Sequence, residues 1–163
     1  MTNWYVHNVG EFPWFVNEKF GARGYLVPFD DDVKVGVRVH VLEPGKPSTL
    51  YHRETGQEGF LIVEGECLLI VEGEERPLRR WDFFHCPPGT THSFVGAGDG
   101  PCVLVTLGLR GGSIVYERND VALAHGAGVE KETDSPDEAY APFADWEEGH
   151  PASWDDLPWN RRS

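Results

Sequence analysis

Four side chains carry most of the chemistry in this sequence: His52, Glu54, Glu58 and His92. His52 and Glu54 stand two apart, so on a strand both project to the same side. Gly56 permits a turn after them, and Glu58 opens the apolar run GFLIV, so the chain can fold Glu58 back beside the pair. His92 follows the turn signal PPGT, and a strand starting there can aim its ring into the same space. Two imidazoles with one or two carboxylates form a mixed nitrogen and oxygen donor set. Such a set suits one divalent transition metal, Fe, Mn, Ni, Co or Zn, and is poor for Cu(I) or Ca(II). Two histidines plus one carboxylate is also the donor set of non-haem iron sites with open positions. Glu54 has two roles open to it, as a metal ligand or as a catalytic base beside the metal.

Nearby residues have plainer readings. His40 lies opposite the valines of its strand and reads as a surface or inter-sheet histidine. His85 adjoins Cys86 and reads as a buried structural histidine, with pocket lining as the alternative. Tyr51, Arg53 and Gln57 alternate with the proposed ligands, and Gln57 is either a turn residue or a substrate contact. Cys67, Cys86 and Cys102 each sit in or beside an apolar run, and no CxxC pair occurs. They read as reduced, packed thiols, and three is an odd number for a disulfide framework. GAGDGPC follows a strand and meets no helix start, so it is a hairpin turn and not a phosphate loop.

The elements that must position these groups are short strands. In VKVGVRVHVL, from Val33 to Leu42, every second residue is valine up to Val41, which puts the valines on one face of a strand. Turn signals then recur at PGKP, ETGQ, EGE, EGEE, PPGT and GAGDG, separated by GFLIV, CLLIV, WDFFHC, HSFV and PCVLVTL. Short strands at such spacing predict an all-β sandwich or barrel. Phe60, Ile62, Leu69, Val71, Phe83, Phe94, Val103 and Val105 are its expected core. Residues 1–24 read as an aromatic arm, and Tyr25–Phe29 as a first short strand. Asp120–His125 offers one or two helical turns ended by Gly126 and Gly128. Ser135 as N-cap, Pro136 at the first helical position and Glu138 completing a capping box predict a helix through about Phe143. Trp146, Trp154 and Trp159 then mark a strap whose rings dock into grooves.

The chain has 163 residues, enough for one domain with a core that needs no disulfide or structural zinc. The expected division is a barrel over about 25–110 and an extension over about 111–163. Net charge is −13, which repels nucleic-acid phosphates and anionic membrane surfaces. No basic segment followed by an apolar stretch opens the chain, and no apolar run is long enough to span a bilayer. The expected location is the cytoplasm.

The spacing also resembles a family. The first motif of the cupin superfamily is Gly, five residues, His-x-His, three or four residues, Glu, six residues, Gly. Here Gly65 lies six residues beyond Glu58, and with a three-residue spacer Glu54 and His52 take the histidine positions. The second motif is Gly, five residues, Pro-x-Gly, two residues, His, three residues, Asn. It is matched by Pro87, Gly89 and His92, with Trp81 in place of the leading glycine and Gly96 in place of the asparagine. A four-residue spacer would instead put Tyr51 and Arg53 at the histidine positions, and the pocket would then be a metal-free binding site. The chain is similar to small single-domain bacterial cupins. The resemblance implies a double-stranded β-helix, or jelly-roll barrel, holding a metal at His52, Glu54, Glu58 and His92. It implies a homodimer, in which the aromatic arm would find cover and an open sheet edge would be paired. It implies a small polar metabolite as ligand, with dioxygenase, isomerase or lyase chemistry. The alternative is a non-catalytic binding protein with a structural metal or none.

Overall fold

The computed structural model describes residues 4–27 and 33–161. Its strands are β1 (Trp14–Asn17), β2 (Gly21–Tyr25), β3 (Val35–Leu42), β4 (His52–Glu54), β5 (Glu58–Glu64), β6 (Glu66–Val71), β7 (Glu74–Arg79), β8 (Phe83–Cys86), β9 (His92–Ala97), β10 (Cys102–Leu109), β11 (Ile114–Tyr116) and β12 (Glu147–Glu148). They form two sheets, one in the order β12-β1-β2-β3-β10-β5-β8 and one in the order β11-β4-β9-β6-β7. Neighbouring strands run antiparallel, with β3 against β10 from Val35↔Leu109 to Leu42↔Cys102. This is the all-β arrangement expected from the turn spacing, and the jelly roll that the resemblance implied.

Register decides which face of each strand meets the interior. Val39, Val41 and Val103 pack with Trp14, Ala22 and Leu157 in a cluster that excludes the inter-sheet core. The inter-sheet core is Leu42, Phe60, Ile62, Cys67, Leu69, Cys86, Phe94, Cys102 and Leu104. The valine face of β3 is therefore the outer one, and the alternate face, Arg38, His40 and Leu42, looks into the barrel. Val103 and Val105, expected in the barrel core, pack instead in the outer cluster around Trp14, and the readings of Phe83 and His85 also need correction. Phe83 is exposed, because Phe84 is the residue of β8 that packs inward against Phe60. His85 shares the outward phase of Phe83 and is also exposed, so it is neither buried nor part of the pocket.

The segment read as an arm contributes strands of its own. β1 and β2 extend the large sheet, and β12 from the C-terminal strap pairs with β1. Of the strand expected at Tyr25–Phe29, only Tyr25 is in a strand, as the end of β2; Leu26 and Val27 form a bend, and residues 28 and 29 lie outside the described residues. The tryptophans dock as expected: Trp14 is buried and stacks on Trp159 at 5.4 Å, with Trp154 edge-on at 5.3 Å. Phe20 is buried among Tyr140, Phe143 and Trp146.

Two short helices close the small sheet's end. α1 (Asp120–Ala124) is capped by Asn119. α2 (Pro136–Tyr140) has Ser135 Oγ accepting from the Glu138 N–H at 3.3 Å. It stops short of Phe143, because Pro142 cannot continue a helix. The expected capping box is incomplete, since the Glu138 carboxylate accepts from the Thr133 hydroxyl at 2.6 Å. The three cysteines are free and buried, as read from the sequence. Among the described residues no helix is long and apolar enough to cross a membrane.

The departures from the second motif have backbone explanations. Trp81 sits at φ 75°, a left-handed conformation that favours the glycine usual there. A Cβ at Gly96 would lie 2.3 Å from the Glu43 carbonyl oxygen, so no side chain fits.

Candidate metal centre

His52, Glu58 and His92 are each the first residue of a strand: β4, β5 and β9. β4 and β9 belong to the small sheet and pair directly at His52↔His92. β5 belongs to the large sheet. The three side chains thus bridge the two sheets at one end of the barrel. One ligand atom from each lies within 4.8 Å of the others, and all three residues are buried.

Backbone carbonyls orient both imidazoles. His52 Nδ1 lies 2.6 Å from the Leu50 carbonyl and His92 Nδ1 lies 3.1 Å from the Thr90 carbonyl. A carbonyl only accepts, so each Nδ1 carries the proton and each Nε2 presents a lone pair. Phe60 packs edge-on against the His92 ring at 4.9 Å and helps fix its plane.

Glu58 is the strained member. Its Oε2 is buried without a hydrogen-bond partner and lies 3.4 Å from His92 Nε2. Burial, then the nearby Glu54 charge, pushes the Glu58 carboxyl up to about 7. Burial, then the neighbouring His52, lowers His92 to about 3, so its imidazole is neutral. A lone pair thus faces a carboxylate oxygen, an arrangement that a shared proton or a cation between them relieves. The donors fit a divalent transition metal: two imidazole nitrogens whose partner nitrogens are anchored on carbonyls, and one carboxylate. Beside them lies a chamber of about 30 Å³, lined by His52, Glu54, Glu58 and His92 together with Arg38 and His40.

Glu54 stands apart from that close group. Its Oε1 lies 3.6 Å from His52 Nε2. Burial raises its pKa, but the hydrogen bond and charge of a protonated His52 and the charge of Arg38 outweigh this and leave it lowered; with His52 neutral and Nε2 free, Arg38 is the cation that acts on it. Glu54 also lines a larger cavity of about 510 Å³ with Arg23, Arg38, His52, Tyr116 and Trp146. A second opening of about 290 Å³ lies between Arg38, Glu54, Glu58 and Arg110.

Of the other residues weighed in the sequence, Tyr51 is buried on α1's side, where its hydroxyl accepts from the Gly73 N–H at 2.9 Å. Arg53 forms an ion pair with Glu117. His40 is buried between the sheets, the inter-sheet reading, and burial holds it at about 3. Arg23, Arg38 and Tyr116 line the cavity but drew no attention in the sequence. Only Arg38 carried a signal there, since it shares the phase of His40 on β3.

Residues 38–108 match the Cupin_2 family model, described as a cupin domain. No curated protein matches the sequence. Among solved structures, the chain is similar to a sugar phosphate isomerase of the cupin superfamily from Silicibacter pomeroyi, at 19% identity and TM-score 0.61, covering 72% of this chain and 88% of that one. It is similar to a cupin-like protein from Thermotoga maritima, at 20% identity and TM-score 0.58, covering 78% and 99%. It is similar also to the polyketide cyclase RemF from Streptomyces resistomycificus, at 14% identity and TM-score 0.58, covering 67% and 81%. At these identities the likeness is one of fold. Motif spacing, jelly-roll topology and family match agree: the chain carries a cupin domain of the cupin-2 type.

Proposed function

We propose that this protein is a metal-dependent enzyme that moves a proton on a small polar metabolite, in the manner of an isomerase or lyase. The observation that carries the reading is the unpartnered, buried Glu58 Oε2, 3.4 Å from His92 Nε2 and grouped with His52, beside a polar cavity. His52, Glu58 and His92 would hold one divalent transition metal. Bound there, it would supply Lewis-acid polarisation of a carbonyl or hydroxyl oxygen.

The chain's own groups supply the rest. Glu54 is held below the usual carboxylate range and lines the cavity, which suits a general base. Burial, above all, raises the pKa of Tyr116, so its phenol stays neutral and can donate a hydrogen bond to a substrate oxygen. Phe60 and Phe94 wall off the apolar side of the inner chamber and exclude water from it. The barrel works as one domain, with the N-terminal strands and C-terminal strap as its outer layer.

The test has two stages. Protein purified without chelator should carry one transition metal per chain, and His92→Ala should lose it. With that form, a panel of keto acids, hydroxy acids and sugars in heavy water should show solvent deuterium entering a substrate carbon, abolished by Glu54→Gln with metal content retained. Oxygen uptake without deuterium incorporation would assign dioxygenase chemistry instead. Absence of any stoichiometric metal, even on addition, would refute the proposal.

A further inference from the structure

Two arginines face the same cavity without a close ion pair, although the charge of Arg38 acts on Glu54 and Glu58 from further off. Arg23 on β2 and Arg38 on β3 lie on the inner face of the large sheet as diagonal neighbours, since Arg23 pairs with His40 and Tyr25 with Arg38. Among the described residues neither forms an ion pair within 4.0 Å, in a chain whose acidic residues outnumber its basic ones by 27 to 14. Like charges at such positions repel. Aromatic rings hold them instead: the Arg23 guanidinium lies 3.7 Å from the Trp146 ring centre and 5.4 Å from that of Tyr25, and Arg38 lies 5.7 Å from Tyr25. Arg23 Nε is buried with no acceptor. Both side chains line the cavity of about 510 Å³ onto which His52 and Glu54 also open. Its other carboxylates, Asp137 and Asp145, stand exposed on the rim and pair with neither arginine.

We infer that Arg23 and Arg38 form the seat for an oxyanion, a carboxylate or phosphate, at one end of the substrate. A stacked guanidinium keeps its edge free, and its planar fork accepts two anion oxygens at once. The ring contacts fix where that edge points before any ligand arrives. An anion there would bond the guanidinium edges that line the cavity and relieve the repulsion between the two cations. With its charged end so placed, the substrate's polar end reaches His52 and Glu54. The substrate class is therefore a small anionic metabolite with a carbonyl or hydroxyl at its far end. This deepens the enzyme reading above and rests on it for the substrate's far end, but the seat itself needs no metal.

The experiment uses chelator-treated, full-length protein and calorimetric titration at low ionic strength with inorganic phosphate, malonate and, as neutral control, glucose. At least one anion should bind with one-to-one saturation and glucose should not. The tighter of the two identifies the oxyanion. Arg23→Gln and Arg38→Gln should each weaken binding by roughly tenfold or more, and Arg38→Lys, which keeps the charge but loses the fork, by less. Circular dichroism confirms that each variant is folded. Because the protein is titrated metal-free and metal stoichiometry is measured on untreated protein, a failed metal site and a failed anion seat are read separately. The inference is overturned if neither anion saturates the wild-type protein, or if folded Arg23→Gln and Arg38→Gln bind as tightly as it does.

Discussion

The two ends of the barrel interior are made from the same strands and could hardly differ more. β3 contributes Leu42 to one end and Arg38 to the other, β5 contributes Ile62 and Glu58, and β10 contributes Leu104 and Thr106. At the apolar end side chains interlock and every group is content. At the polar end lie Glu58 Oε2, His40 Nδ1, Thr106 Oγ1 and Arg23 Nε, all buried without hydrogen-bond partners. Unpaired buried polar atoms are costly, and such groups persist where a ligand or ion completes them. One end holds the fold and the other is held by it.

Substitutions can sharpen or break that contrast. The largest effect is expected at the apolar end, where Ile62 is fully buried. Ile62→Ala should cost about 2–5 kcal/mol in urea unfolding while leaving metal stoichiometry intact. A cost below about 1 kcal/mol would show that this end is not what holds the barrel together.

At the polar end the sign should reverse. The Glu58 carboxyl titrates near 7 when folded, against its ordinary 4.5. Below 4.5 it is neutral in both states, so its contribution to stability is fully present there. As pH rises towards 7 the unfolded chain releases the proton first, and that contribution is lost. Metal-free Glu58→Gln should therefore gain on the wild type across this window and exceed it by on the order of 2 kcal/mol at pH 8. Metal should restore the wild type's advantage. Parallel pH profiles for the two metal-free proteins would mean that Glu58 carries no such penalty.

The smallest effect concerns the turn before β8, outside both ends. Trp81 is exposed and adopts φ 75°. Trp81→Gly should raise the thermal midpoint slightly, by the equivalent of about 1 kcal/mol or less, because glycine's greater freedom when unfolded offsets part of the relief. A fall would point to contacts of the indole that matter more than the backbone.

The contrast also explains what could be read from the sequence. The strand-and-turn rhythm was legible because turns use few residue types, and His52, Glu58 and His92 were legible because motif spacing ties them to strand starts. Phe83 and His85 were misread because β8 is only four residues long. Alternation over so short a run has no phase until Trp81 and its pairing with β5 set it. Arg23 and Arg38 were invisible for a related reason: valine alternation locates a face but does not say which side holds the core. That side is chosen by the outer layer, where Trp14, Trp154, Trp159 and Leu157 cover the valines.

That outer layer has a consequence for how the chain acquires its structure. β1, near the start, gains its outer neighbour from Phe15↔Glu148 and Val16↔Glu147, and Trp14 gains its stacking partner from Trp159. Such contacts join distant parts of the chain and form slowly. During synthesis the outer edge of β1 and the face of Trp14 stay bare until the strap that carries β12 and Trp159 has emerged. Arg23, carried on β2 and stacked on Trp146, reaches its final environment only then. The cavity that Arg23 lines should therefore be among the last parts of the molecule to mature, after the barrel has closed around its apolar end.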